Sequence, residues 1–103
     1  VNIDLTKKEY IKFLDYDRIQ DSLILRTPEP GDRMVIRSDG AVKKLNRILS
    51  DRKIERTERN KVPVIACGSE IVWAVGIRIG ENYKVTDNTS RIICLEYKEE
   101  KNR

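Results

Sequence analysis

Two periodicities share one short chain, and together they limit what it can fold into. Ala41, Leu45, Ile48 and Leu49 recur at helical spacing, whereas from Val62 onward apolar residues run in β-rich blocks broken by turns. The first pattern predicts a helix over residues 41–50, capped by Ser38 or Asp39. The second predicts strands over residues 62–67, 71–77, 83–85 and 91–97, with Gly68-Ser69-Glu70 as a hairpin turn. Upstream, residues 10–15 start a strand, residues 15–19 turn, and residues 23–27 form a strand ended by Pro28. Pro28-Glu29-Pro30-Gly31-Asp32 is a loop by its own chemistry, with two fixed φ angles, a permissive Gly and an Asx-type residue. Residues 34–36 make another strand, closed by Ser38-Asp39-Gly40. The polar stretch 54–60 suits one short extra helical turn.

One helix among many short strands points to an α+β, mainly β domain. The expected form is a small antiparallel sheet closed or nearly closed on itself, barrel-like, with one main surface helix. Its expected core is Leu25, Leu45, Leu49, Val64, Ile65, Val72, Trp73, Val75, Ile93 and Leu95. Trp73 is read as core, with stacking on a base as the alternative. Cys67 and Cys94 sit singly in apolar stretches and are expected to be buried free thiols; parity also allows a disulfide.

The chain's 103 residues suffice for one domain and no more. Its one Met is Met34 and it opens on Val1, so residues 1–103 are expected to be an accessory domain excised from a larger protein. No apolar run is long enough to span a bilayer and no signal-peptide pattern is present, so the expectation is a cytoplasmic protein with no membrane partner.

The basicity is placed rather than spread. Between Lys43 and Lys61 lie eight of the 21 basic residues (Lys43, Lys44, Arg47, Arg52, Lys53, Arg56, Arg59, Lys61) against three acids, Asp51, Glu55 and Glu58. That local surplus of five exceeds the +4 of the whole chain. A localised positive patch on a near-neutral remainder is the footprint of a polyanion binder, most often nucleic acid. The alternative is a solvated charged helix face. On a helix, Lys43, Lys44 and Arg47 would share the side opposite Leu45 and Leu49.

Catalytic chemistry is hard to find. With no His there is no Ser-His or Cys-His pair, and no phosphate-cradling glycine loop is present. Asp15, Asp17, Glu55 and Glu58 read as turn and helix-surface residues. Asp32 reads as a turn residue paired with Arg26 or Arg33; a metal ligand or general base is the alternative. A basic patch without a catalytic constellation describes a binder.

Several segments, in order, resemble the C-terminal domain of bacterial tRNA(Ile)-lysidine synthetase. They are Leu25-Arg26 with Pro30-Gly31-Asp32-Arg33; Lys43-Lys44-Leu45; Ile54 with Arg56, Arg59 and Pro63-Val64; and residues 71–76 around Trp73. Glu55 stands where that family usually carries Pro. The resemblance implies a small barrel-like fold, of a type also found in phenylalanyl-tRNA synthetase, and an accessory module that grips the tRNA acceptor stem. The parent enzymes ligate lysine to the wobble cytidine of isoleucine tRNA with ATP and Mg, in an N-terminal domain whose pyrophosphatase loop is absent here. This domain itself would then hold no cofactor and no metal. Its partners would be tRNA and that N-terminal domain, with a homodimer open. The RNA-binding residues would be the eight cations above, with Arg26, Asp32 and Arg33 in the adjoining loop. Two other readings stand beside this one: a protein-interaction or regulatory module whose basic face docks an acidic surface, and a small hydrolase using Asp32.

Overall fold

The structure, a computed structural model, describes residues 10–99. Eight strands and two short helices follow in the order β1 (Ile11–Asp15), β2 (Ile24–Arg26), β3 (Arg33–Val35), β4 (Val42–Lys44), α1 (Leu45–Asp51), α2 (Arg56–Arg59), β5 (Val64–Cys67), β6 (Glu70–Ala74), β7 (Arg78–Ile79) and β8 (Ile92–Glu96). The fold is mainly β with one main helix, as its sequence implies. It is not a closed barrel. Six strands form one sheet in the order β2-β5-β6-β3-β4, with β7 also on β6, and β1 and β8 pair as a separate two-stranded sheet. All ladders are antiparallel except the β3–β6 pairing.

The largest departure from expectation lies at residues 41–44. None of them is helix, and Val42–Lys44 are strand. Gly40 at φ 90° closes a hairpin in which the Ile36 amide donates to the Ala41 carbonyl at 2.8 Å. Asp39, which reads as a helix cap, instead accepts from the Ala41 amide at 3.0 Å inside that turn. The helix starts only at Leu45, whose amide donates to the Asp32 carbonyl at 2.9 Å. A four-residue Asx turn and a helix cap share one sequence signature, and pairing of Val42 with Val35 decides between them here.

Two more strands are shorter than their apolar runs. The block from Ile71 ends as strand at Ala74 because residues 75–77 turn into β7, with Gly76 at φ 79°. Residues 83–85 are not a strand. Tyr83 ends a 3-10 turn (Glu81–Tyr83) and is buried, its hydroxyl donating to Glu70 Oε1 at 2.9 Å. Burial together with the Glu70 carboxylate raises the Tyr83 pKa well above its ordinary value.

Strand β6 carries the core on both faces. On one side Ile71 and Ala74 meet Met34, Leu45, Ile48, Leu49, Val64 and Ala66; on the other Val72 meets Leu14 and Tyr83. Leu45, Leu49, Val64, Val72, Trp73 and Val75 are buried as expected. Ile65, Ile93 and Leu95 are only half-buried. Leu25 is 58% exposed, because β2 is an edge strand paired only with β5. Both cysteines are free, but neither is buried: Cys67 is half-buried, and Cys94 is exposed opposite Phe13 on the outer face of the β1–β8 pair.

Trp73 is 1% exposed, and its Nε1 finds no acceptor among the described residues. The ring contributes by filling volume, with an unpaired donor as an offsetting cost. Trp73→Ala is expected to lower stability by about 3–5 kcal/mol in urea denaturation. A loss below about 1 kcal/mol would show that the ring is not a packed part of this core.

Candidate nucleic-acid interface

One ion pair sets the shape of the basic region. Arg26 on β2 grips Asp32 with two parallel bonds, Nη1 to Oδ2 and Nη2 to Oδ1, each 2.8 Å. Asp32 Oδ2 also accepts the Glu29 amide at 2.7 Å, and Arg26 Nη2 reaches the Gly68 carbonyl at 3.1 Å. The Asp32 side chain is 3% exposed and that of Arg26 16%. Burial alone would push the Asp32 carboxyl up, but the Arg26 fork and the Glu29 amide outweigh it and hold the group below the usual carboxylate range. Asp32 is thus the turn residue paired with Arg26 that the loop chemistry implies. Arg33 does not join it; it lies exposed on β3, opposite Lys44.

The loop so braced forms one wall of an open groove of about 690 Å³. Pro28, Glu29 and Pro30 line it together with Lys44 and Arg47, and with Arg56 and Arg59 of α2. Asn46, Ser50 and Asn60 add neutral polar groups. Arg59 is held by a bond from Nε to the Ile54 carbonyl at 2.9 Å, and among the described residues neither Lys44 nor Arg56 has a carboxylate within 4.0 Å. Lys44 and Arg33 are direct cross-strand neighbours. Like charges so placed cost stability unless an anion joins them.

Four of the eight expected cations therefore meet in this groove: Lys44, Arg47, Arg56 and Arg59. The other four do not. Because residues 42–44 are strand, Lys43 and Lys44 point to opposite faces. The Lys43 stem lies beside Ile36 and Ile48 in a smaller cleft and its tip pairs with Asp51. That pairing, with Arg47 3.9 Å away, lowers the Asp51 pKa. Arg52 turns away from the groove and donates from Nη2 to the Ile77 carbonyl at 2.9 Å. Lys53, at φ 60°, lies in the turn after α1, and Lys61 pairs with Glu58 at 3.1 Å. The residues not foreseen are the groove's loop wall, Pro28 to Pro30, which brings in the Glu29 carboxylate, and its amide and hydroxyl lining. Only the proline spacing hinted at a rigid wall.

Among the described residues no group of three or more His, Cys, Asp or Glu is placed to hold a metal, and no helix is long and apolar enough to cross a membrane. The cationic groove is framed by a loop and two short helices on a small, mainly β domain. The chain belongs to the TilS substrate C-terminal domain family, whose model matches residues 23–95. It is 44% identical over 97 residues to a tRNA(Ile)-lysidine synthase of Caldanaerobacter subterraneus subsp. tengcongensis, covering 94% of this chain and 21% of that protein. A tRNA(Ile)-lysidine synthase of Dehalococcoides mccartyi is 36% identical over 98 residues, covering 95% of this chain and 21% of its own length. The chain thus spans about a fifth of the length of these curated relatives. The solved structure titled "Crystal structure of TILS C-terminal domain" has the same fold, with a TM-score of 0.66 at 24% identity over 88% of this chain and 73% of that one.

The pH response of the Arg26–Asp32 pair has a definite sign. Since the folded carboxyl lies below its unfolded value of 3.8, the pair's contribution is fully present above about pH 4 and is lost as pH falls through the lower folded value. Asp32→Ala leaves the half-buried Arg26 charge with only the exposed Glu29 carboxylate, 3.9 Å away, and is expected to cost about 3 kcal/mol at pH 7, the low end for a buried pair. The Asp32→Ala penalty should shrink in acid. A penalty in chemical denaturation that does not vary between pH 7 and pH 2 would exclude this account.

Proposed function

We propose that this domain is the tRNA-binding accessory module of an enzyme that modifies isoleucine tRNA, and that its groove lies along the acceptor stem. The observation that carries the reading is the convergence of Lys44, Arg47, Arg56 and Arg59 on one open groove, with Lys44 set against Arg33 and, among the described residues, no carboxylate within 4.0 Å of either. The curated relatives' names as tRNA(Ile)-lysidine synthases support it. An A-form stem presents a deep major groove that side chains read poorly, so binding rests on phosphates, 2′-hydroxyls and shape. Arginines fixed on short helices suit that task through bidentate phosphate contact. Asn46, Ser50 and Asn60 can serve 2′-hydroxyls.

In this reading the ligation of lysine, with ATP and Mg, belongs to a catalytic N-terminal domain, and the present domain contributes grip without a cofactor of its own. The enzyme works in the cytoplasm. The catalytic domain of the same chain is its protein partner.

The test is a Lys44→Ala, Arg47→Ala, Arg56→Ala triple variant, titrated with tRNA at two salt concentrations. Each lost phosphate contact should lower the salt slope by an amount of the order of 0.9, the value for duplex DNA. The loss should be similar for all stem sequences if contacts are to the backbone. Lys61→Ala, outside the groove, should bind as the parent does. Unchanged affinity and slope in a folded triple variant would move the RNA surface elsewhere. Tight binding to an acidic protein surface, with none to tRNA, would instead favour a docking module.

A further inference from the structure

A second cationic cleft, of about 580 Å³, shares no lining residue with the groove. Lys12 and Phe13 of β1 line it with Arg52, Arg78, Lys84 and Val85. Leu14 bridges Ile93 of β8 on one side and Lys84 on the other, so Lys84 lies along the edge of β1 away from β8. Among the described residues no carboxylate lines the cleft. Lys84 pairs with Glu81 at 2.8 Å, but Lys12, Arg52 and Arg78 have no carboxylate within 4.0 Å among the described residues.

The two guanidinium groups are held in place without being neutralised. Arg52 donates to the Ile77 carbonyl at 2.9 Å. Arg78 donates from Nη2 to the Ile36 carbonyl at 3.3 Å and from Nε to the Ile79 carbonyl at 3.2 Å. Carbonyl partners fix orientation but leave the positive charge whole, so the cleft is preset for an anion. Beside these cations Phe13 is 59% exposed, although its neighbour Leu14 is fully buried. One exposed phenylalanine alone needs no explanation. An exposed aromatic ring among fixed, unpaired cations has a specific use: the ring stacks on an unpaired base while the cations follow its phosphates. A duplex cannot use the ring, because its bases are already stacked and paired.

We propose that this cleft binds a single-stranded RNA segment, with Phe13 stacking on one base and Arg52 and Arg78 holding the flanking phosphates. The site is independent of the acceptor-stem reading, since different residues from different elements build it.

The test measures binding of the full chain to a labelled short oligoadenylate and to a blunt RNA hairpin, by fluorescence anisotropy. Phe13→Ala should weaken oligoadenylate binding about 5- to 150-fold, the range for loss of one base–aromatic stack, and leave hairpin binding unchanged. Phe13→Trp should retain binding. Arg52→Gln should lower the oligoadenylate salt slope by about 0.7. The Lys44→Ala, Arg47→Ala, Arg56→Ala variant should still bind oligoadenylate, so failure of the groove and failure of this cleft give different patterns. The near-ultraviolet circular dichroism of Trp73 reports whether each variant is folded. The proposal is overturned if the wild-type chain does not bind oligoadenylate, if folded Phe13→Ala binds it as the wild type does, or if Phe13→Ala weakens hairpin and oligoadenylate alike. A Phe13-dependent affinity for an acidic protein in place of RNA would also overturn it.

Discussion

The Arg26–Asp32 pair joins more of the molecule than any other polar contact. Through its side chain Asp32 takes the Arg26 fork and the Glu29 amide, and through its carbonyl it takes the first amide of α1. Arg26 adds the Gly68 carbonyl at the β5–β6 turn. Edge strand, proline loop, hairpin turn and helix start therefore share one half-buried knot. A buried pair is not a large net source of stability, because desolvation offsets most of the Coulomb gain. Its effect is geometric: the loop from Pro28 to Pro30 can stand as a wall only because its far end is tied down.

The wall matters because exposed cations on long side chains are weak binders when each must be ordered separately. Here the ordering is done beforehand. Carbonyls hold Arg59, Arg52 and Arg78, and short helices carry Arg47 and Arg56. Of the acids of the region, Asp51 pairs with Lys43 and lies 3.9 Å from Arg47, Glu58 pairs with Lys61, and Glu29 stands in the groove wall. The sequence surplus of five positive charges thus becomes a smaller but directed field.

Much of this was legible in the residues and some was not. The apolar blocks around Val64 and Val72 read correctly as strands, the Pro28–Asp32 chemistry as a loop, and Asp32 as a turn residue paired with Arg26 or Arg33, of which the structure selects Arg26. The spacing of Leu45, Ile48 and Leu49 located the helix face, but not its start. Residues 41–44 could not be resolved locally, since Asp39-Gly40 serves a hairpin turn as well as a helix cap, and only pairing with β3 selects the strand. Leu25 looked like core because its run is apolar; its exposure follows from an edge position that no single-strand pattern encodes. The basic cluster was visible as a count. Its division between two faces was not, since that needed the strand phase at Lys43 and Lys44 and the distant Lys12, Phe13 and Arg78.

That strand phase carries an evolutionary consequence. Lys43 and Lys44 are adjacent in sequence yet serve different faces, and what separates them is the even-odd parity of a three-residue strand counted from the Gly40 hairpin. A single-codon insertion or deletion that the turn does not absorb would exchange their destinations, sending the lysine now bound to Asp51 into the groove and the groove lysine toward Ile36. Away from Gly40, whose φ of 90° suits no other residue as well, substitution here is cheap and a change in length is not. In this family, selection should therefore hold Gly40 and the number of residues between Ile36 and Val42 fixed while tolerating diversity at the other positions.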